Sequence, residues 1–356
     1  NDKWFWKKIA SSPCWNFQQG AMLQWLDENH IIFNQLSDGK IRACIININS
    51  GSERFLKDPL YCLSSDKRKA YGVCFELIHK YRLGYGYSHC DSEKAVNYRE
   101  TGLSSCDIQS GQTTLHIPFQ NFIDEKWVTE EDEFWIDHIL PASDDKHIAF
   151  FLRHLTDDGG VYTRLFFANT KEWRYWCALD TGMASHACWL TSDQFGIWAR
   201  QQAFVKSVSQ SRWSGLLKPL ISLVRKFGIP SKLRTSLYGD KFLWFNLNNK
   251  QVASFAQDIP SNEGGGHFSF DKTSQWMLND SFPNEKGERP LMIYDLQENE
   301  RTDIIHLKTP LNIHATAWRC DLHPRWSPDN NWACIDSVHE GHRGIYIANL
   351  LSFIAK

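Results

Sequence analysis

The 356-residue sequence holds no run of the roughly eighteen apolar residues that a membrane-spanning helix needs. Its longest apolar patch, Leu216 to Val224, is broken by Lys218 and Pro219. Excess charge is missing too: the formal net charge is -2 with 22% charged residues, which argues against a general polyanion binder and so against a nucleic-acid partner. There is no G-x-S-x-G elbow, no H-E-x-x-H helix and no paired C-x-x-C, so hydrolase and redox templates find little support. The glycines Gly264 to Gly266 lack a following Lys-Ser/Thr and read as a close approach of backbone, not as a phosphate loop. The ten cysteines are scattered rather than clustered, in a chain long enough to form its own core, and read as buried thiols. The sequence begins at Asn1 rather than Met, after either removal of a leader or trimming, and of the two the first gives the expectation of a secreted or periplasmic protein.

What the sequence does contain is a repeat. One phrase recurs: a histidine, an Asp-containing turn, then a short apolar strand. Its copies are HILPASDDKHIAFF from His138, HACWLTSDQFGIWA from His186, HFSFDKTSQWMLND from His267 and HPRWSPDNNWACID from His323. Two apolar or alternating runs about a polar turn make each a β-hairpin. A third strand follows each (VYTRLFFANT, KFLWFNLNN, PLMIYDLQ, GIYIANL), and often a fourth such as VASFA or TDIIHL. Units without the histidine precede them, in GAMLQWLDENHIIFN with IRACIININSGS, and in YGVCFELIHKYRLGYGY with TGLSSCDIQSGQ. Four strands repeated at roughly fifty residues fit propeller blades. The expectation is an all-β, single β-propeller domain over 1–356, with six recognisable repeats and a seventh hidden near the termini or in the gap after the second. The sixteen tryptophans pack such sheets, or offer exposed platforms for sugars. One departure, at 204–238, has helical apolar spacing and the cations Lys206, Arg212, Lys218, Arg225, Lys226, Lys232 and Arg234. It is a basic, partly helical insertion, either solvated packing or a lid over an acidic ligand.

In a propeller the first strand of each blade lines the central channel, so His138, His186, His267 and His323 are expected to meet at one mouth. The antiparallel return strand pairs His138 with Arg153 or His154, His186 with Arg200, His267 with Asp280 and His323 with His339. A single histidine is commonly a hydrogen-bonded core residue, but four in register suit proton transfer or metal ligation. Cys320 and His323 form a C-x-x-H pair; with His267 and His339 they are a candidate zinc set. The alternative is a metal-free hydrogen-bond network around Asp321 and Asp280.

These phrases, with WNFQQGAMLQWLDENHIIFN, WIDHILPASDDKHIAFF, SHACWLTSD, GHFSFDKTSQWMLND and CDLHPRWSPDNNWACIDSVHEGHRGIYIANL, resemble TolB-like propellers and, among them, the oligogalacturonate and ulvan lyases. The resemblance implies seven blades and β-elimination at a uronic acid, which needs a cation for the carboxylate, a base for the C5 proton and an acid for the leaving oxygen. It implies His138 as base or acid, Arg200 as the carboxylate's partner, and His186 as a second acid/base or a metal ligand. His116, in TTLHIPFQ, lies at a spacing like that of paired histidines in ulvan-type lyases, and His154 joins the catalytic candidates. Arg153, Tyr162 and Tyr238 are candidate substrate contacts, the tyrosines as substitutes where the stretch around His186 has Cys188 and no Tyr. His267 and His323 fit the metal position of the galacturonate-type enzymes, and Cys320 tilts it towards zinc in a structural or supporting role. The expected activity is a polysaccharide lyase on an acidic polysaccharide or oligosaccharide, ulvan-type rhamnose-linked uronate first, acting as a monomer. The competing reading is a noncatalytic glycan- or protein-binding propeller, which leaves the histidines without a task.

Overall fold

A computed structural model describes residues 7–82, 84–91, 93, 95–157, 159–200, 239–259, 265–314 and 316–354. The basic insertion 204–238, Tyr238 with it, lies outside the described residues. Apolar runs separated by Asp- and Gly-bearing turns give six sheets in which chain neighbours are sheet neighbours. The first holds β1 (Gln24–Trp25), β2 (His30–Ser37), β3 (Lys40–Asn47) and β4 (Glu53–Phe55). The second holds β5 (Cys62–Leu63), β6 (Lys69–Gly72), β7 (Gly102–Asp107) and β8 (Thr113–Pro118). The third holds β9 (Phe134–Pro141), β10 (His147–Leu155), β11 (Val161–Asn169) and β12 (Tyr175–Gly182). The fourth has β13 (Ala184–Trp189), β14 (Gln194–Arg200), β15 (Asp240–Asn246) and β16 (Gln251–Ser254). The fifth has β17 (Gly265–Phe270), β18 (Trp276–Ser281), β19 (Glu288–Asp295) and β20 (Glu300–Lys308). The last has three strands, β21 (Arg325–Trp326), β22 (Trp332–Ser337) and β23 (Gly344–Asn349).

The fold is an all-β propeller of six blades. The seventh blade that the resemblance implies is not found among the described residues, and the count of six read from the repeats is the one observed. A second difference lies in YGVCFELIHKYRLGYGY, read as part of a strand unit. Phe75–Tyr81 within it is helix α1, its buried Phe75, Leu77 and Ile78 recurring at helical rather than alternating spacing.

The chain packs as two compact units, Asn1–Gly160 with Phe166–Trp176, and Val161–Leu165 with Cys177–Lys356. In the first, Phe33, Cys44 and Ile46 form one apolar cluster, and Phe122 packs edge-on against Phe150 and Phe166. In the second, Trp198, Phe242, Phe268, Met277 and Met292 join the fourth and fifth sheets, while Leu278, Leu291 and Ile293 meet Leu322, Ala333 and Ile335 of the last. β18 is buried at all six positions, apolar in Trp276 to Leu278 and polar in Asn279, Asp280 and Ser281, so its second half is a buried polar segment. The Asp turns are built by side chain-to-backbone bonds: Asp271 accepts the N–H groups of Gln275 and Trp276, at 3.0 and 2.9 Å. No helix among the described residues is long and apolar enough to cross a membrane.

Candidate functional site

The repeated histidine sits at an irregularity of its strand. In β9 the pairing with β10 jumps from Leu140–Ala149 to Asp137–Phe151, leaving His138 in a bulge with φ of 53°. The ladder shifts likewise around His186, between Ser185 and Ala187, and around His267, between Gly265 and Phe268. His323, just before β21, has φ of 44°. Such φ values are uncommon for residues with a Cβ, and a bulge interrupts the alternation of side chains between the two faces of a strand. Consecutive residues can then serve one site, and His138 Nδ1 lies 2.9 Å from Oδ1 of its own neighbour, Asp137. In the fifth sheet the irregularity needs glycine: a Cβ on Gly266 would stand 1.5 Å from the carbonyl oxygen of Asp280.

In the first unit Asp137, 1% exposed, is the centre of a charge cluster. Oδ1 accepts from His138 Nδ1 and, at 2.8 Å, from Arg153 Nε. Oδ2 accepts from Trp135 Nε1 at 3.0 Å and from Arg82 Nη1. Helix α1 delivers Arg82, whose N–H closes on Ile78 O at 2.9 Å. The backbone N–H of His138 donates to the hydroxyl of Tyr61, which Gln19 also reaches. Burial works against the Asp137 anion, but Arg153, Arg82 and His138 hold it well below the usual carboxylate range. Burial lowers the His138 imidazole from 6.5 to about 4, against the pull of Asp137 and with help from the two guanidinium charges. The ring is therefore neutral near pH 7. With Nδ1–H given to Asp137, Nε2 is the acceptor, and among the described residues it has no partner.

The second unit gathers His186, His267 and His323. Ring centroids are 3.8 Å apart for the first pair and 4.0 Å for the second. Asp280, fully buried, accepts the N–H of His267 on Oδ1 at 2.6 Å and that of Leu322 on Oδ2 at 2.8 Å. Asp321 Oδ2 accepts from Arg319 Nε at 2.8 Å, and Asp321 Oδ1 lies 2.9 Å from Nη1 of Arg289, itself 1% exposed. Burial would raise both carboxyls, yet His267 and then Arg289 keep Asp280 low, and Arg289, His267 and Arg319 hold Asp321 well below the ordinary range. One donor atom each from His267, Asp321 and His323 lie within 4.8 Å of one another. His267 Nδ1, Asp321 Oδ1 and Arg289 Nε and Nη2 are buried with no hydrogen-bond partner. Orphaned buried acceptors are costly, and two histidines with one carboxylate suit a divalent first-row metal, so His267, Asp321 and His323 fit an ion, although the Arg289 donors gain nothing from it.

The remaining sequence candidates are placed as follows. Arg153 stands opposite Trp135 in the ladder and reaches Asp137; His154 stands opposite Phe134. Arg200 aligns with Asp240, not with His186, and grips its carboxylate at 2.9 and 3.3 Å. His116 is on β8, bonded to Ser105 Oγ at 2.7 Å and stacked on Trp173 at 3.7 Å, and burial lowers it to about 4. The Tyr162 hydroxyl donates to Asp180 at 2.9 Å. Cys320 is buried, its thiol pushed up to about 11 by burial, and lies outside the His267–Asp321–His323 group. His339 bonds Ser337 Oγ at 2.8 Å and packs on Tyr346, whereas His323 Nδ1 lies 3.5 Å from Asp336 Oδ2. Sequence reasoning missed Asp137, Arg82 and Arg289. The signals were an Asp-His pair breaking the alternation of WIDHIL and a lone arginine in the apolar run ERPLMIYD.

No family model matches the sequence, and comparison with curated proteins finds no match. Solved structures do match. The tricorn protease aligns over 92% of this chain with TM-score 0.54 and 10% identity, the chain spanning only 29% of that protein. An oligogalacturonate lyase from Vibrio parahaemolyticus aligns over 91% of this chain and 87% of its own, with TM-score 0.51 and 14% identity. An oligogalacturonate lyase in complex with manganese gives TM-score 0.52 and 11% identity over 93% and 88% of the two chains. At such identities the likeness shows the fold alone.

Proposed function

We propose that the protein is a polysaccharide lyase that cleaves a uronic-acid-containing acidic polysaccharide or oligosaccharide by β-elimination, with His138 as its base. The observation that carries the reading is the Asp137–His138 dyad, which fixes one tautomer and leaves a neutral Nε2 open. In the reaction Nε2 takes the C5 proton, the electron pair forms the C4–C5 double bond, and the C4–O bond breaks. The leaving oxygen then takes a proton back from the imidazolium, which Asp137 stabilises meanwhile. Arg200 is set aside as the carboxylate's partner because Asp240 occupies its fork. His267, Asp321 and His323 would hold a divalent ion, manganese or zinc, as a structural or supporting centre, supplying a fixed positive charge. The manganese named for one lyase of the same fold favours that metal class. Rhamnose-linked uronate, as in ulvan, is the first substrate, and export and a monomeric state belong to the same proposal.

The test is incubation with ulvan, polygalacturonate, glucuronan and glycosaminoglycans, following the ultraviolet absorbance of unsaturated uronate. The expected result is a rise with one polymer that His138→Gln abolishes; hydrolytic products without unsaturation, or no reaction, would contradict it. A second reading, a noncatalytic glycan-binding propeller, is favoured by the aromatics Trp15 and Trp25, 46% and 58% exposed, and polymer binding without product would select it.

A further inference from the structure

The cation that a uronate carboxylate needs beside His138 is supplied by a residue outside the histidine repeat. We propose that Arg82, with Tyr85 and His138, forms a binding subsite for a sugar carboxylate. The side chain of Arg82 makes one hydrogen bond among the described residues, from Nη1 to Asp137. Its guanidinium carbon sits 3.8 Å from the ring centroid of Tyr85, which fixes the plane of the fork. The remaining N–H groups reach solvent through a side chain 19% exposed, none of them closed off by protein. Across the same carboxylate, on the other oxygen, is His138, 20% exposed, and the Tyr85 and His138 rings lie 5.9 Å apart. Asp137 thus holds an open guanidinium on one oxygen and an imidazole with an open nitrogen on the other.

That adjacency matches the chemistry of the ligand. The acidic proton of a uronate is on the carbon that bears the carboxylate, so whatever binds the anion must stand next to whatever takes the proton. The Arg82 guanidinium, with a single hydrogen bond to Asp137 and N–H groups left over, favours a second anion. That anion, once bound, raises the affinity of His138 for a proton when it is needed. For its catalytic consequence the inference rests on the lyase reading; for binding it does not.

The experiment is isothermal titration of the full chain with sodium galacturonate and sodium glucuronate, each against its methyl ester, for wild type, Arg82→Gln and Arg82→Lys. One acid is expected to bind at least about tenfold more tightly than its ester, the measure of a charge-assisted hydrogen bond. Arg82→Gln should bind the acid no better than the ester, with Arg82→Lys between them, and the His138 imidazole resonance should move on binding in wild type. Equal binding of acid and ester by wild type, or no binding of either acid, overturns the subsite even if Arg82→Gln fails to fold. So does wild-type affinity in folded Arg82→Gln. Absence of unsaturated product with binding intact would instead count against the lyase reading alone.

Discussion

Asp137 and Asp321 are alike in burial, each 1% exposed and each held by two arginines, yet they differ in what is left over. Around Asp137 both carboxylate oxygens accept twice, and the open atoms, on His138 and Arg82, face solvent. Around Asp321 the open atoms are interior: His267 Nδ1, Asp321 Oδ1 and two nitrogens of Arg289. The first network is complete and leaves a neutral imidazole nitrogen open, as the proposed base requires. The second leaves lone pairs on His267 Nδ1 and Asp321 Oδ1 that suit a metal ion, while the Arg289 nitrogens are donors that such an ion leaves unmet. Sequence repetition alone makes the two look like copies of one histidine site.

The largest effect that could break this contrast is on folding. Asp137→Asn leaves two guanidinium groups facing each other without their carboxylate and should cost about 3–5 kcal/mol, read as a fall in denaturant midpoint. Asp321→Asn takes the charge away from buried Arg289, 2.9 Å from it, and from Arg319, and should cost a similar amount in metal-free protein; the distinction is then read in the metal response alone. Metal addition comes next. Manganese or zinc at a hundredfold over its Kd should stabilise wild type by about 2.7 kcal/mol, an effect lost in His267→Ala and His323→Ala and kept in Cys320→Ala. Loss in Cys320→Ala and not in His267→Ala would restore the thiol-centred site.

Acid sensitivity sharpens the first half of the contrast. An unfolded histidine takes a proton below about 6.5, but folded His138 does so only near 4. The unfolded state therefore binds more protons between these values, and stability present above 6.5 is lost as pH falls towards 4, by ~3 kcal/mol at most. The low carboxyl of Asp137 acts with the same sign further down. His138→Gln should flatten the upper part of that slope. The smallest effect is at His116, stacked on Trp173: His116→Gln should cost about 1 kcal/mol and leave product formation intact, and abolished product would move the base to β8.

Much of the fold was legible because strand and turn signals are local. The four hairpins beginning at His138, His186, His267 and His323 carry alternation or apolar runs on both sides of an Asp turn, and these are the observed first and second strands. Helix α1 was not, since YGVCFELIHKY combines β-branched and aromatic residues with only two helical turns of spacing. The site was legible in its histidines and illegible in their partners. A bulge shifts the register by a residue, so Arg153 faces Trp135, while Arg200 faces Asp240 on the third strand of its sheet, a pairing that no periodicity foretells. Arg82 comes from a helix end and reaches Asp137 across 55 positions of sequence, a contact that only the folded chain creates.

The central claim is that Asp137 fixes His138 as a neutral ring with Nε2 open, and nitrogen-15 NMR of histidine-labelled protein tests it most directly. The account predicts an Nδ1–H tautomer for His138 that titrates at about 4 in wild type. It also predicts that Asp137→Asn disturbs that tautomer. An Nε2–H tautomer, or a midpoint at the ordinary 6.5, would contradict it.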